Sequence, residues 1–229
     1  MKFFTFCSFL LMMSIFSCSN QEQFSKDFQQ QTTGRYLLHP DAEVAIHYKN
    51  NTLLLDWLGA KDIEPLIMGD HTFYVKEMNK KMRLVLHPID SIYYLSEVID
   101  AAAIRYDYKK LADTVRVPSY YLLNKDYDKA LEGYLKIQAE DSTFVFIEEK
   151  KFNSYGYDKL RNNAFDDAIA LFKINVALYP TSANVYDSLA DAYLKNGDSL
   201  EAFKNYTKSL TLDSGNPRAK RYIKAYGRE

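Results

Sequence analysis

An interval of 34 residues constrains this chain more than any other feature. Small and aromatic residues recur at that spacing: Phe152 lies over Tyr186, Gly156 over Ala190, Ala168 over Ala202, Phe172 over Tyr206 and Leu178 over Leu212. Within each copy the apolar residues fall three and four apart, the period of a helix with one buried stripe. Self-similarity at a fixed period of this size implies stacked helix pairs, none of which buries its apolar face alone. Glycine or alanine lets two antiparallel helices approach closely, and the aromatic positions fill the gap to the next pair. The pattern predicts that Ala168 lies where a neighbouring helix crosses at Gly156, so a larger side chain there forces the two apart.

These residues resemble the tetratricopeptide repeat, a 34-residue helix–turn–helix unit with this small/aromatic pattern and a closing proline. Residues 149–182 make one copy and 183–216 the other. Lys159, Asn175, Ser209 and Ser214 depart from the residues usual at their positions. Upstream, "NKDYDKALEGYLKI" repeats the element at Ala130 and Tyr134 with an offset of 38 to Ala168, an irregular helical unit within 113–148. The polar "NPRAKRYIKAYGRE" closes the array as a capping helix over 217–229, since a stacked array needs a polar end. The resemblance implies a solenoid whose first helices line a groove for a protein or peptide. By the same alignment it assigns that groove to Asn153, Tyr157 and Arg161 in one unit and Asp187, Asp191 and Lys195 in the next. Four-residue spacing puts each trio on one helical face. The mixed signs differ from the all-basic clamp that some members use for a peptide carboxylate.

Residues 32–112 read differently. Short apolar runs alternate with turn signals at Asn50-Asn51, Gly69-Asp70 and Asn79-Lys80, which is hairpin spacing. In "AIRYDYK", Ile104, Tyr106 and Tyr108 alternate with charged residues, a period of two that predicts a strand. The expected fold is α+β: an antiparallel meander or partly closed barrel of seven or eight strands, followed by the helical solenoid. The strand segment "TGRYLLHPDAEVAIHYKNNTLLLDWLG" and the helical "NVALYPTSANVYDSLADAYLKNGD" also resemble the accessory C-terminal modules of bacterial β-lactamase-like serine hydrolases. That resemblance implies an accessory part without its enzyme.

The N-terminus carries Lys2, an apolar run from Phe3 to Phe16 and small residues before Cys18, the layout of a secretory signal over 1–17. "IFSC" resembles the lipobox of bacterial lipoproteins, which implies acylation of Cys18 and anchoring by two or three acyl chains, palmitate-like in kind. Ser19, in place of an aspartate, favours the outer membrane by the same analogy, on its periplasmic or cell-surface face. The glutamine-rich stretch 18–31 reads as a lipidated flexible tether. Twenty-nine basic and thirty acidic residues give a net charge of −1, which offers no broad attraction to nucleic acid.

No S-x-x-K, G-x-S-x-G, phosphate loop or H-E-x-x-H occurs, so no catalytic residues and no cofactor are expected. His39, His47, His71 and His87 show no close ligand spacing and read as turn and surface residues, with no metal site. Asp166 and Asp167 suit the start of a helix. The leading expectation is a non-enzymatic, lipid-anchored adaptor of the cell envelope that holds a partner in its repeat groove. The alternatives are a small-ligand or glycan receptor using Trp57 and Tyr74 in the strand domain, and a regulatory subunit of a separate serine hydrolase. Partner identity, membrane face and oligomeric state stay open.

Overall fold

A computed structural model describes residues 24–69, 71–100, 103–140 and 147–227. The signal segment and Cys18 lie outside the described residues. Among those described, no helix is long and apolar enough to cross a membrane. The chain divides into two compact units: the residues up to Thr33 with Ile46–Tyr106, and Gly34–Ala45 with Asp107 onward.

The first unit opens with helix α1 (Lys26–Thr32), where a tether through residue 31 was expected. Ser25 caps it, its hydroxyl accepting from the Phe28 amide at 3.2 Å. Phe24 and Phe28, four apart, put both rings on one face, and both are buried. Phe28 stacks on His71 at 4.0 Å between ring centres and meets Tyr93 edge-on at 5.4 Å. Two phenylalanines in a polar stretch therefore suffice to fold it.

Nine strands follow among the described residues: β1 (Gly34–His39), β2 (Ala42–Lys49), β3 (Thr52–Trp57), β4 (Ala60–Ile63), β5 (Leu66–Gly69), β6 (Thr72–Val75), β7 (Lys80–Leu86), β8 (Tyr93–Glu97) and β9 (Tyr108–Lys109). They form one sheet of order β1-β2-β3-β4 and a second of order β5-β6-β7-β8-β9, so of the two expected forms the strands follow the meander order and do not close into a barrel. The break falls at Glu64-Pro65, where proline has no N–H to continue a ladder. Asn50 and Asn51 both hold positive φ, as a two-residue hairpin needs, and Asn79 holds positive φ at the end of the four-residue turn between β6 and β7, while Asp70 of the expected Gly69-Asp70 turn lies outside the described residues. Leu53, Leu55, Phe73, Val75, Met82, Leu84 and Leu95 alternate inward and are buried. The "AIRYDYK" expectation fails over most of its length, because only Tyr108 and Lys109 pair. Ile104 is exposed, and Tyr106 instead lies edge-on over His87 and Tyr94.

In the second unit, the hairpin residues 34–45 cluster with the residues from Asp107 onward. Arg35 pairs with Glu43 at 2.9 Å and donates to the carbonyls of Ala112 and Asp113. Asp41 accepts from the Ser119 amide at 2.6 Å and from the Tyr134 hydroxyl at 3.0 Å. It thereby serves helix α2 (Pro118–Leu123), whose own N-cap, Val117, has no side-chain oxygen to offer. Helix α3 (Tyr127–Glu140) buries Ala130, Tyr134 and Ile137, so α2 and α3 form the irregular unit with a shortened first helix.

Five more helices keep strict register: α4 (Glu149–Arg161), α5 (Phe165–Leu178), α6 (Ala183–Lys195), α7 (Ser199–Leu212) and α8 (Pro217–Tyr226). The first helices begin at 149, 183 and 217, and the second at 165 and 199, so each step is 34 residues. Gly156 is buried, and a Cβ on it would lie 2.5 Å from the Phe172 ring. The missing side chain at 156 thus makes room for the aromatic of the facing helix, more directly than for Ala168. Ala168, Phe172, Leu160, Ile169, Leu189 and Ala192 form one core cluster, and Ala190, Ala202, Tyr206 and Ala219 form the next.

Candidate binding face

Helices α4 and α6 carry the six residues expected to line the groove, and the structure separates them into two sets. Tyr157, Asp187 and Asp191 converge. Tyr157 rests edge-on against Phe172, with ring centres 5.2 Å apart. Asp187 is buried, at 7% exposure. It accepts from Asn216 Nδ2 at 2.8 Å and from Arg218 Nε at 3.2 Å, and it is bonded by Arg218 Nη2 as well. The same guanidinium donates to the Tyr157 hydroxyl at 3.2 Å, and its Nη1 lies 3.4 Å from Asp191. Arg161 and Lys195, one turn further along their helices, are exposed, and Arg161 pairs with Asp158 at 3.1 Å. Asn153 is half-buried, and its Oδ1 is a buried acceptor with no hydrogen-bond partner among the described residues.

Arg218 is the residue that sequence reasoning missed. It was placed in a solvated capping tail, yet it stands 34 residues after Asn184, on the first turn of α8. Asn184 reaches back in the same sense, donating to Glu149 Oε1 at 2.8 Å. The 34-residue step was the available signal. Partial burial works against the charge of Arg218, but hydrogen bonds to Asp187 and Tyr157 outweigh it and raise its pKa above the ordinary arginine value. The guanidinium is thus a fixed cation joining α4, α6 and α8.

Asp167, read as a helix-start charge, does open α5, but it also accepts from Lys125 at 2.7 Å and from the Tyr127 hydroxyl at 2.8 Å. The Lys125 hydrogen bond is the main cause holding its carboxyl below the usual range. Trp57 ends β3 and Tyr74 lies on β6, its hydroxyl donating to Asn79. Neither lines the cavity of about 360 Å³ in the first unit, which is bounded by Phe24, Ser25, Asp27, Phe28, Gln31, His71 and Tyr93. His47, read as an ordinary surface histidine, lies beside Asp56 and Asp62, the described residues with ligand-type atoms close enough for a metal ion.

Over 97 residues, 42% of its length, the chain is 36% identical to the heat shock protein STI1 of Saccharomyces cerevisiae. The helix pairs of this chain repeat at a 34-residue step. The chain spans 16% of the length of that yeast protein. Among solved structures, the first tetratricopeptide-repeat domain of Spaghetti (RPAP3), bound to the HSP90 peptide SRMEEVD, is 21% identical. The match covers 48% of this chain and 85% of that one, with a TM-score of 0.34. A point mutant of MamA is 20% identical over 48% of this chain and 81% of its own, with a TM-score of 0.37. No protein-family model matches.

Proposed function

We propose that the protein is a non-enzymatic adaptor, held at the cell envelope by lipid on Cys18, whose tetratricopeptide-repeat helices bind a protein or peptide partner. The observation that carries this reading is the register of α4, α6 and α8. Their starts are 34 residues apart, and Arg218 on α8 reaches Asp187 on α6 and Tyr157 on α4, which supports a shared face across the three helices. Such faces are what stacked helix pairs use for extended ligands. The likeness to STI1 over 97 residues supports the reading.

On this face Tyr157, Asp187 and Asp191 are already engaged by Arg218 and set its shape. Contact with a partner falls to the exposed Arg161 and Lys195 at its edge and to the polar surface between them. A photo-crosslinking amino acid at 161 or 195 in living cells captures the same partner from both positions, and one at Lys208 on α7 does not. Equal capture from all three sites rejects the face as the binding surface. The anchor is read separately: the chain labels with a clickable palmitate analogue and fractionates with the outer membrane, and Cys18→Ala abolishes both. An unlabelled wild-type chain removes the lipid from the proposal and leaves the adaptor untouched.

A further inference from the structure

A bulge between β3 and β4 brings together three ligand-bearing side chains that lie far from any ligand spacing in the sequence. Leu55 stands opposite Ile63, and then Trp57 opposite Ala60, so Asp56 faces both Lys61 and Asp62. Asp62 holds a φ of 55°, the left-handed conformation that one type of bulge requires and that aspartate tolerates better than most residues. Its amide donates to Asp56 Oδ1 at 3.0 Å, and its own Oδ1 lies 2.8 Å from His47 Nε2. One ligand atom from each of His47, Asp56 and Asp62 lies within 4.8 Å of the others.

We propose that His47, Asp56 and Asp62 form a three-ligand site for a divalent transition ion of the zinc type. One imidazole nitrogen with two carboxylate oxygens suits such an ion, whereas magnesium and calcium take oxygen alone. Three protein ligands leave a position for water or for a donor from another molecule. Bonds of about 2.0–2.1 Å place tetrahedral ligands about 3.3 Å apart. The His47–Asp62 pair, 2.8 Å apart, therefore opens slightly to admit the ion, and all three ligand atoms already lie within 4.8 Å of one another.

The carboxylates already attract cations. Lys49 Nζ lies 2.5 Å from Asp62 Oδ2, and Lys61 Nζ lies 2.9 Å from Asp56 Oδ2. These lysine side chains are 58% and 72% exposed, so the pairs hold weakly and a divalent ion displaces the ammonium groups at little cost. Once bound, the ion ties β2, β3 and β4 together and stabilises only the folded state. Coordination needs neutral imidazole, so binding weakens on acidification.

Isothermal titration of chelator-treated full chain with zinc chloride tests this. One ion binds per chain, and His47→Ala and Asp62→Asn each weaken binding by about tenfold or more. A Lys49→Met/Lys61→Met double variant binds more tightly, because the ligands stay and their competitors go. Circular dichroism of the zinc-free variants separates loss of the site from loss of the fold, with the exposed Asp62→Asn as the variant that leaves the core untouched. Zinc uptake unchanged in both ligand variants, no uptake by the wild type, or a preference for calcium or magnesium overturns the proposal.

Discussion

The guanidinium of Arg218, on the first turn of α8, closes on the buried carboxylate of Asp187 on α6, 31 residues earlier in the chain. Asp187 has 10% of its side chain exposed and Arg218 40%, so the carboxylate is the more dependent partner. Arg218→Leu leaves it buried with only Asn216 to satisfy it, and is expected to destabilise the helical unit by about 2–3 kcal/mol in urea unfolding. Adding Asp187→Asn recovers part of that loss. A double variant no better than the single one shows that the pair is not coupled.

Gly156→Ala places a methyl group 2.5 Å from the Phe172 ring. The ring is fully buried and cannot swing away, so the expected cost is about 1–3 kcal/mol. Shrinking the ring relieves it: Phe172→Leu costs less in the Gly156→Ala background than in the wild type. Thermal melts of the four proteins give the coupling, and additive costs contradict the contact.

Burial is the largest influence on Asp41 and raises its carboxyl above the ordinary carboxylate value, against the opposing hydrogen bonds from Ser119 and Tyr134. Because the folded pKa is the higher one, the folded state binds the proton more tightly. This contribution to stability is fully present below about pH 4 and is lost as pH rises through the folded pKa. Asp41→Asn keeps an acceptor for the Ser119 amide and carries no charge. The wild-type chain should therefore lose stability relative to this variant as pH is raised from about 4 toward neutrality. A difference constant over that range refutes the assignment.

Phe28→Ala removes a buried ring that touches Phe24, His71 and Tyr93. It is expected to cost about 3 kcal/mol and to free the amides of α1 for hydrogen exchange before the rest of the first unit. Unchanged exchange at Phe28–Thr32 would mean that the helix does not rest on its aromatic face.

The helix pairs were legible because their packing rule is periodic: Gly156 and Phe172 recur as Ala190 and Tyr206, and a repeated contact writes itself twice. The hairpin turns were legible at Asn50-Asn51 and Asn79, where the backbone needs residues that accept positive φ. Helix α1 was hidden because its signal is a single pair, Phe24 and Phe28, inside polar composition. Arg218 was hidden because its partners are Tyr157, Asp187 and Asp191, and no local pattern reports a contact over 27 to 61 residues. The approach of His47 to Asp56 and Asp62 depends on one extra residue in a hairpin, and spacing along the chain does not show which strand takes the bulge.

The hairpin of residues 34–45 clusters with the residues from Asp107 onward, while the residues on both sides of it, up to 33 and from 46 to 106, cluster with one another. The polypeptide thus visits one body, leaves, returns and leaves again, so no single cut releases either body whole. Shuffling by one crossover or trimming by one protease site cannot isolate a self-sufficient half.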